Sequence, residues 1–159
     1  MAEFFGVFAK ELWVAFISMI PLIELRGAIP VGMSLGLGTL TTYIIAVIGN
    51  ILPIPFILWF SRPVMKWLKK TKFLKPIADK LEKKTEANRE KIMKYSAFGL
   101  FLFVAIPLPG TGAWSGALAA SLLDMRFKYA FPSIALGVMG AGIIMCFGTS
   151  IVQWIIGIF

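Results

Sequence analysis

The chain contains no histidine and a single cysteine, Cys146, and this narrows the chemistry open to it. Histidine and cysteine supply most of the protein ligands for zinc, and a disulfide framework needs paired cysteines. We therefore expect no metal site and no cofactor. Cys146 lies in an apolar run between Met145 and Phe147. In that position we expect a packed small side chain rather than a reactive thiol.

Charge is also scarce, at 15% of residues, whereas 58% of residues are hydrophobic and the mean hydropathy is +0.84. Soluble domains have about a quarter of their residues charged. The composition indicates an integral membrane protein, with residues 1–159 forming one membrane domain. The net charge of +8 does not indicate a nucleic-acid partner, because most of it falls in one loop between apolar segments.

Two apolar segments are interrupted in the same way. The first, residues 20–30, reads Ile-Pro-Leu-Ile-Glu-Leu-Arg-Gly-Ala-Ile-Pro, and the second, residues 106–116, reads Ile-Pro-Leu-Pro-Gly-Thr-Gly-Ala-Trp-Ser-Gly. Proline removes a backbone donor and glycine loosens the backbone. In a bilayer, irregular backbone is tolerated only where protein buries it or a water-filled cavity adjoins it. Matched broken segments in the two halves of a chain therefore indicate a transporter binding site.

The remaining segments are apolar, apart from one basic stretch. Residues 4–20 are long enough for a short span or for a helix at the membrane interface. Residues 39–60 form the first clear span, which we expect to be kinked by Pro53 and Pro55. Residues 129–159 are long enough for a tilted, kinked span or for a span with an interfacial end.

Residues 61–96 contain twelve lysines or arginines and four acidic residues. Apolar residues recur there at i, i+3, i+4 and i+7, which predicts an amphipathic helix or helix pair at the membrane surface. An excess of lysine and arginine is typical of cytoplasmic loops. We therefore predict that this linker is cytoplasmic and that both termini lie outside.

The predicted fold is an all-α polytopic membrane protein with two inverted repeats. Each repeat is a re-entrant hairpin followed by a transmembrane helix, in residues 1–60 and 97–159, and residues 61–96 join them. A plain four-helix membrane bundle is the alternative.

Glu24 and Arg26 are a charged pair inside the first broken apolar segment. Charges at membrane depth cost several kcal/mol, about 2.5–3.5 on insertion scales, and usually mark a functional site. We expect an unwound tip, in which residues two apart point to the same side. The functional interpretation is an anion-binding arginine beside a carboxylate that pairs with it or exchanges protons. The alternative is a structural ion pair.

The second broken segment offers free backbone amides before a helix of small residues. Amides at the start of a half-helix attract phosphate or carboxylate. The alternative is close helix packing, since residues 112–116 and residues 32–36 each form a G-x-x-x-G. Asn50 could line the path or serve packing, and Arg126 could bind substrate or act as a cytoplasmic anchor. The candidate substrate or ion site therefore comprises Glu24, Arg26, Asn50, Pro107, Pro109, Gly110, Thr111, Gly112 and Arg126.

Residues 24–32 and 107–116 together resemble the small multi-drug export proteins, and the resemblance covers nearly the whole chain. The second half is also similar to the DedA (SNARE-associated or VTT) membrane proteins, through Ile106-Pro107, Pro109-Gly110 and Arg126-Phe127. The DedA resemblance implies paired re-entrant hairpins that flip a phosphate-bearing lipid carrier with protons or ions. We expect the protein to lie in a prokaryotic cytoplasmic membrane. The arginines of the DedA hairpin are missing between Ala105 and Ala113.

We therefore expect a secondary transporter rather than an enzyme, with no catalytic residues. Its expected substrate is anionic or phosphate-bearing and lipid-linked, its expected partners are membrane lipids, and its coupling ion is a proton or Na⁺. The small size is compatible with a homodimer. One alternative is proton-coupled export of cationic drugs through Glu24. Another is a non-transporting scaffold whose basic loop binds anionic lipid or a partner.

Overall fold

The computed structural model of the protein describes residues 2–60, 89–108 and 110–157. All regular secondary structure in these ranges is helical. The helices are α1 (Ala2–Met19), α2 (Glu24–Ser34), α3 (Thr39–Ile51), α4 (Arg89–Ala105), α5 (Ala113–Leu122) and α6 (Phe127–Ile156). A short helical segment, residues 54–60, follows α3 after a break at Leu52 and Pro53.

The helices follow the same order in both halves of the chain. An Ile-Pro-Leu sequence comes directly after α1 and again directly after α4. A short helix, α2 or α5, is next, and a longer one, α3 or α6, completes the half. The three helices of each half pack against one another, and the halves meet where α2 and α3 contact α6. This packing brings the break after α1 close to the break after α4.

Both short helices end in the same backbone motif. At the end of α2, the Gly36 amide donates to Met33 O at 3.1 Å and the Leu37 amide donates to Gly32 O at 3.1 Å. At the end of α5, the Asp124 amide donates to Ser121 O and the Met125 amide donates to Ala120 O, which is the same pattern. Both are Schellman caps, with a left-handed residue at φ 81° in one and φ 51° in the other. The repeat of helix order thus extends to the helix ends.

Many of the buried side chains are small, whereas many of the exposed side chains are large and apolar. This is the reverse of the usual pattern in a soluble protein. Completely buried positions include many alanines, whereas Leu40, Trp59, Phe147 and Trp154 are each about 70% exposed. A continuous apolar exterior of this kind marks a surface that faces lipid rather than water. Small residues at helix contacts are typical of packing within a bilayer.

Within the described ranges, two helical stretches are long and apolar enough to span a membrane, Thr39–Phe60 and Phe127–Ile156. The span predicted over 39–60 is confirmed, and its predicted kink is the break at Leu52 and Pro53. The expected long final span is one continuous helix of 30 residues, about 45 Å at 1.5 Å per residue. Pro132 lies near its start and does not end it.

The prediction of an unwound tip around Glu24 and Arg26 is wrong. The turn after α1 is confined to residues 20–23, and α2 begins at Glu24. Pro30 lies inside α2 without ending it. A proline there loses one helical bond and crowds the carbonyl four residues earlier, and the packing of α2 against α1 and α3 offsets this cost. The amphipathic linker predicted over 61–96 lies outside the described residues up to residue 88, and its last residues already belong to α4.

Candidate functional site

Glu24 begins α2 in a left-handed conformation, with φ at 52°, and only 4% of the residue is exposed. Non-glycine residues adopt positive φ infrequently, and such strain persists where the surrounding structure holds it. Here the Glu24 amide donates to Ile20 O at 2.9 Å across the turn. The turn aims the carboxylate away from its own helix and toward the second half of the chain.

The Glu24 carboxylate caps helix α5 from the opposite half. The Trp114 amide, in the first turn of α5, donates to Glu24 Oε1 at 3.2 Å. This is the role of an N-cap side chain, supplied here by a residue 90 positions away. A carboxylate at this place also interacts favourably with the positive end of the helix dipole.

Gly112 makes room for that carboxylate. It precedes α5 with φ at 144°, and a Cβ at this position would lie 2.6 Å from Glu24 Cδ. Any larger residue would therefore push the carboxylate off the α5 amides. The first glycine of the 112–116 pair serves this contact, whereas Gly116 packs against Val104 of α4. The alternative of helix packing thus holds for Gly116 and not for Gly112, and in the 32–36 pair it holds for Gly32, which packs against Thr42.

The Arg26 guanidinium binds the loop between α4 and α5. Nη1 donates to Leu108 O at 2.7 Å and also to Thr111 O, and Nη2 donates to Thr111 Oγ1 at 2.7 Å. A longer bond of 3.4 Å joins Nη2 to Ile106 O. These bonds add charged donors to carbonyls that also accept within the loop, Ile106 O from the Leu108 amide and Leu108 O from the Thr111 amide.

A third bond runs in the opposite direction. The Trp114 indole Nε1 donates to Met19 O, the last residue of α1, at 3.1 Å. Each half therefore supplies polar groups for the broken backbone of the other: Glu24 and Arg26 for the second half, and Trp114 for the first. We call this set of contacts, made by Glu24, Arg26, Thr111, Gly112 and Trp114, the crossed caps.

The crossed caps separate the two charges that the sequence suggested would pair. Glu24 Oε1 is bonded to Trp114, while Arg26 bonds the 106–111 loop. Because both sit on helix α2 two residues apart, they do not face each other. Glu24 Oε2 and Arg26 Nε are buried without a hydrogen-bond partner. Both charged groups thus keep unused bonding capacity inside an apolar protein.

The structure brings together most of the predicted site residues. Glu24, Arg26, Thr111 and Gly112 are in contact, and Pro107 and Gly110 belong to the loop that Arg26 binds. Arg126 is exposed at the start of α6, the length of α5 away, about 15 Å. Asn50 is completely buried in α3. Pro109 lies outside the described residues.

Trp114 is the site residue that the sequence analysis missed. Its backbone amide and its indole both bond to the first half, to Glu24 and to Met19. The sequence held one signal for it, since the residue follows the Gly-Thr-Gly run that opens a helix. Amides in the first turn of a helix need partners from elsewhere.

A protein family described as "Putative small multi-drug export protein" matches residues 24–144. The match begins at Glu24, within the first broken segment, includes the whole of the second, and covers more than half of the chain. The chain belongs to this family. No curated protein and no solved structure matches it. Membership of an export family agrees with the two spans and the apolar exterior, and the chain is a helical membrane protein.

Proposed function

We propose that this member of the small multi-drug export family is a secondary transporter of an anionic, phosphate-bearing lipid-linked substrate, working in a prokaryotic cytoplasmic membrane. The observation that carries the proposal is the pair of crossed caps at Glu24 and Arg26. A helix N-terminus and an arginine, the two groups that bind phosphate best, lie together at a break inside an apolar protein.

Both phosphate-binding groups are occupied by the protein itself. Glu24 holds the start of α5, and Arg26 holds the loop before it. A phosphate entering the site would replace the Glu24 carboxylate at the α5 amides and take up Arg26. The carboxylate must then be neutralised or moved, since an unpaired buried charge is costly. Exchange between an internal and an external anion gives the site two states, and alternating access needs two states.

The membrane arrangement belongs to the same proposal. The repeated helix order and the matching helix caps support two hairpin-plus-span repeats, with α1–α2 and α4–α5 as the hairpins. Opposite insertion of the repeats would bring the two breaks together near the membrane midplane, where transporter sites of this type lie. The concentration of lysine in residues 61–96 supports a cytoplasmic linker, with both termini outside.

The topology is tested by cysteine labelling. In a Cys146→Ala background, single cysteines at positions 2, 84 and 159 would be probed in intact cells with a membrane-impermeant maleimide. We expect labelling at 2 and 159 before lysis and at 84 only after it. Labelling of all three positions from the same side would end the inverted-repeat proposal.

Binding to purified protein tests the substrate. We expect short-chain phosphatidic acid to bind saturably and phosphatidylcholine to bind weakly. Arg26→Ala should weaken binding by about 2–5 kcal/mol, the cost of losing a desolvated charge contact. Replacing Lys80, Lys83 and Lys84 by glutamine should change it little. Preferential binding of a cationic dye would overturn the proposal.

Two rival functions predict other rankings in the same assay. Export of cationic drugs is favoured by the family description and by the partnerless Glu24 Oε2, and it predicts that Glu24 matters more than Arg26. A scaffold that binds anionic lipid through its basic linker predicts that the linker lysines dominate. The scaffold hypothesis does not explain why the two halves form the crossed caps.

A further inference from the structure

The two halves of the chain correspond residue by residue, beyond the order of their helices. The left-handed residues that end α2 and α5 are Gly36 and Asp124, which are 88 positions apart, the difference between 124 and 36. The long helices α3 and α6 begin at the same offset. Counted in this way, Arg26 of α2 corresponds to Trp114 of α5.

Helix packing supports the correspondence. Gly49 of α3 and Gly137 of α6 also differ by this offset, and each lies against the first helix of its own half. A Cβ on Gly49 would lie 2.6 Å from Ala15 O, and a Cβ on Gly137 would lie 3.0 Å from Phe101 O. Ala15 and Phe101 are themselves counterparts at the offset of the two Ile-Pro-Leu sequences. The long helix therefore crosses the first helix in the same way in both halves.

Arg26 and Trp114 make reciprocal bonds across the two halves. The Arg26 guanidinium donates to carbonyls within residues 106–111, at the break after α4. The Trp114 indole donates to Met19 O, at the break after α1. Each counterpart thus bonds the break of the other half, which is the pattern that a two-fold axis produces. We call these contacts the Arg26 clasp and the Trp114 clasp.

Glu24 lies at the axis that relates the two halves. Its counterpart is Gly112, twelve positions before Asp124 as Glu24 is twelve before Gly36. The two counterparts touch, since a Cβ on Gly112 would lie 2.6 Å from Glu24 Cδ. Counterparts meet only beside the axis that relates them. The axis therefore passes between Glu24 and Gly112, and the two clasps lie on either side of it.

Both breaks lie away from the ends of the spans. Ser18, just before the first break, donates to Ala46 O at 2.5 Å. A Cβ on Gly140 would lie 3.5 Å from the Cβ of Ala105, the residue before the second break. Ala46 and Gly140 both lie well inside the two membrane-spanning stretches. Glu24, between the breaks, is therefore separated from both membrane surfaces.

We propose that the two clasps are the two gates of the transporter. The Arg26 clasp closes the path from Glu24 to the outside, and the Trp114 clasp closes the path to the cytoplasm. α2 leads from Glu24 toward the start of the first span, and α5 leads from the axis toward the start of the second. With opposite insertion of the halves, these helices run to opposite sides of the membrane. Opening one clasp at a time exposes Glu24 to one side at a time, as alternating access requires.

This assignment of sides rests on the proposed function and its membrane arrangement. The reciprocity of the clasps rests on the described contacts alone. Trp114 is, on this proposal, a positioning residue, because its indole holds the first break in place and touches no substrate.

Thiol labelling from each side of the membrane tests the gates. In a Cys146→Ala background, Ala113→Cys places a reporter at the first residue of α5, where the native side chain is 0% exposed. A charged methanethiosulfonate is applied to intact cells for the outer side and to inverted membrane vesicles for the inner side. Arg26→Met should accelerate labelling from the outside only, and Trp114→Phe from the inside only. We expect about a tenfold effect, the usual shift of an open–closed equilibrium when its hydrogen bonds are lost.

The substitutions are chosen to remove donors and little else. Methionine keeps an unbranched side chain, and phenylalanine keeps an aromatic ring while the amide of residue 114 still bonds Glu24. Thr111→Val removes one acceptor of the Arg26 clasp and leaves the Trp114 clasp intact. It should also accelerate labelling from the outside, by less than Arg26→Met does.

A second reporter detects general loosening. A cysteine at Ala130, which is 0% exposed in α6, should stay unlabelled in every variant. If it becomes labelled with Arg26→Met, that variant is unfolded and Thr111→Val decides the outer gate. Acceleration at position 113 from the same side in both variants, from both sides equally, or from neither side would overturn the gates. The reverse pairing of variants and sides would overturn them as well.

The gates and the proposed substrate fail separately. Labelling from opposite sides in a protein that does not bind phosphatidic acid would leave the gates and remove the substrate. Phosphatidic acid bound through Arg26, with both variants opening the same side, would leave the substrate and remove the gates.

Discussion

Arg26→Ala should destabilise the purified protein by about 2–3 kcal/mol, the range expected when hydrogen bonds to a charged group are lost. The guanidinium supplies donors to three carbonyls and one hydroxyl of the 106–111 loop. The substitution removes these charge-assisted bonds together, whereas Ile106 O and Leu108 O keep the amides of Leu108 and Thr111 as donors. Reversible unfolding in mixed micelles, followed by circular dichroism, gives the free energy.

Arg26→Lys is the matched control for charge. It keeps the positive charge but has one ammonium group in place of the planar fork that reaches Leu108 and Thr111 together. We expect it to recover less than half of the lost stability. Full recovery by lysine would show that the positive charge stabilises the protein at this position and that the separate hydrogen bonds to the loop do not.

Glu24→Gln should leave the protein folded and abolish transport. The glutamine carbonyl can still accept from the Trp114 amide, so the cap on α5 survives, and we expect a stability change below about 1 kcal/mol. The charge that exchanges with the substrate is gone. Transport of a fluorescent short-chain phosphatidic acid across proteoliposomes should fall to the level of protein-free vesicles.

Comparing Glu24→Ala with Glu24→Gln separates the effect of the helix cap from that of the charge. Alanine removes both, and we expect it to cost about 1–2 kcal/mol of stability, as the loss of an N-cap does. Exchanging the two charges, by combining Glu24→Arg with Arg26→Glu, should not restore stability, because each side chain bonds a different partner. A fully active Glu24→Gln protein would rule out a role for the carboxylate in transport.

Sequence patterns located the breaks, because proline after an apolar helix has a direct backbone consequence. Ile-Pro-Leu ends both α1 and α4, as expected from the missing amide of Pro21 and Pro107. The same rule failed at Pro30, which lies inside α2. Packing against α1 and α3 decides that case, and packing is not visible in a local pattern.

The partners of Glu24 and Arg26 could not be read from the sequence. Two opposite charges two residues apart suggested a pair, whereas each bonds a residue more than 80 positions away. Only the meeting of the two halves brings the α5 amides and the 106–111 loop to α2. Trp114 was missed for the same reason, since its bonds depend on that meeting and not on its neighbours in the chain.

Arg26 of the first half binds the broken backbone of the second half, and a double-mutant cycle measures this contact directly. Unfolding free energies of the wild type, Arg26→Ala, Thr111→Val and the double variant give the coupling between the two side chains. The 2.7 Å bond from Arg26 Nη2 to Thr111 Oγ1 predicts a coupling of about 1–2 kcal/mol. Additive effects, within about 0.3–0.5 kcal/mol, would contradict the crossed caps.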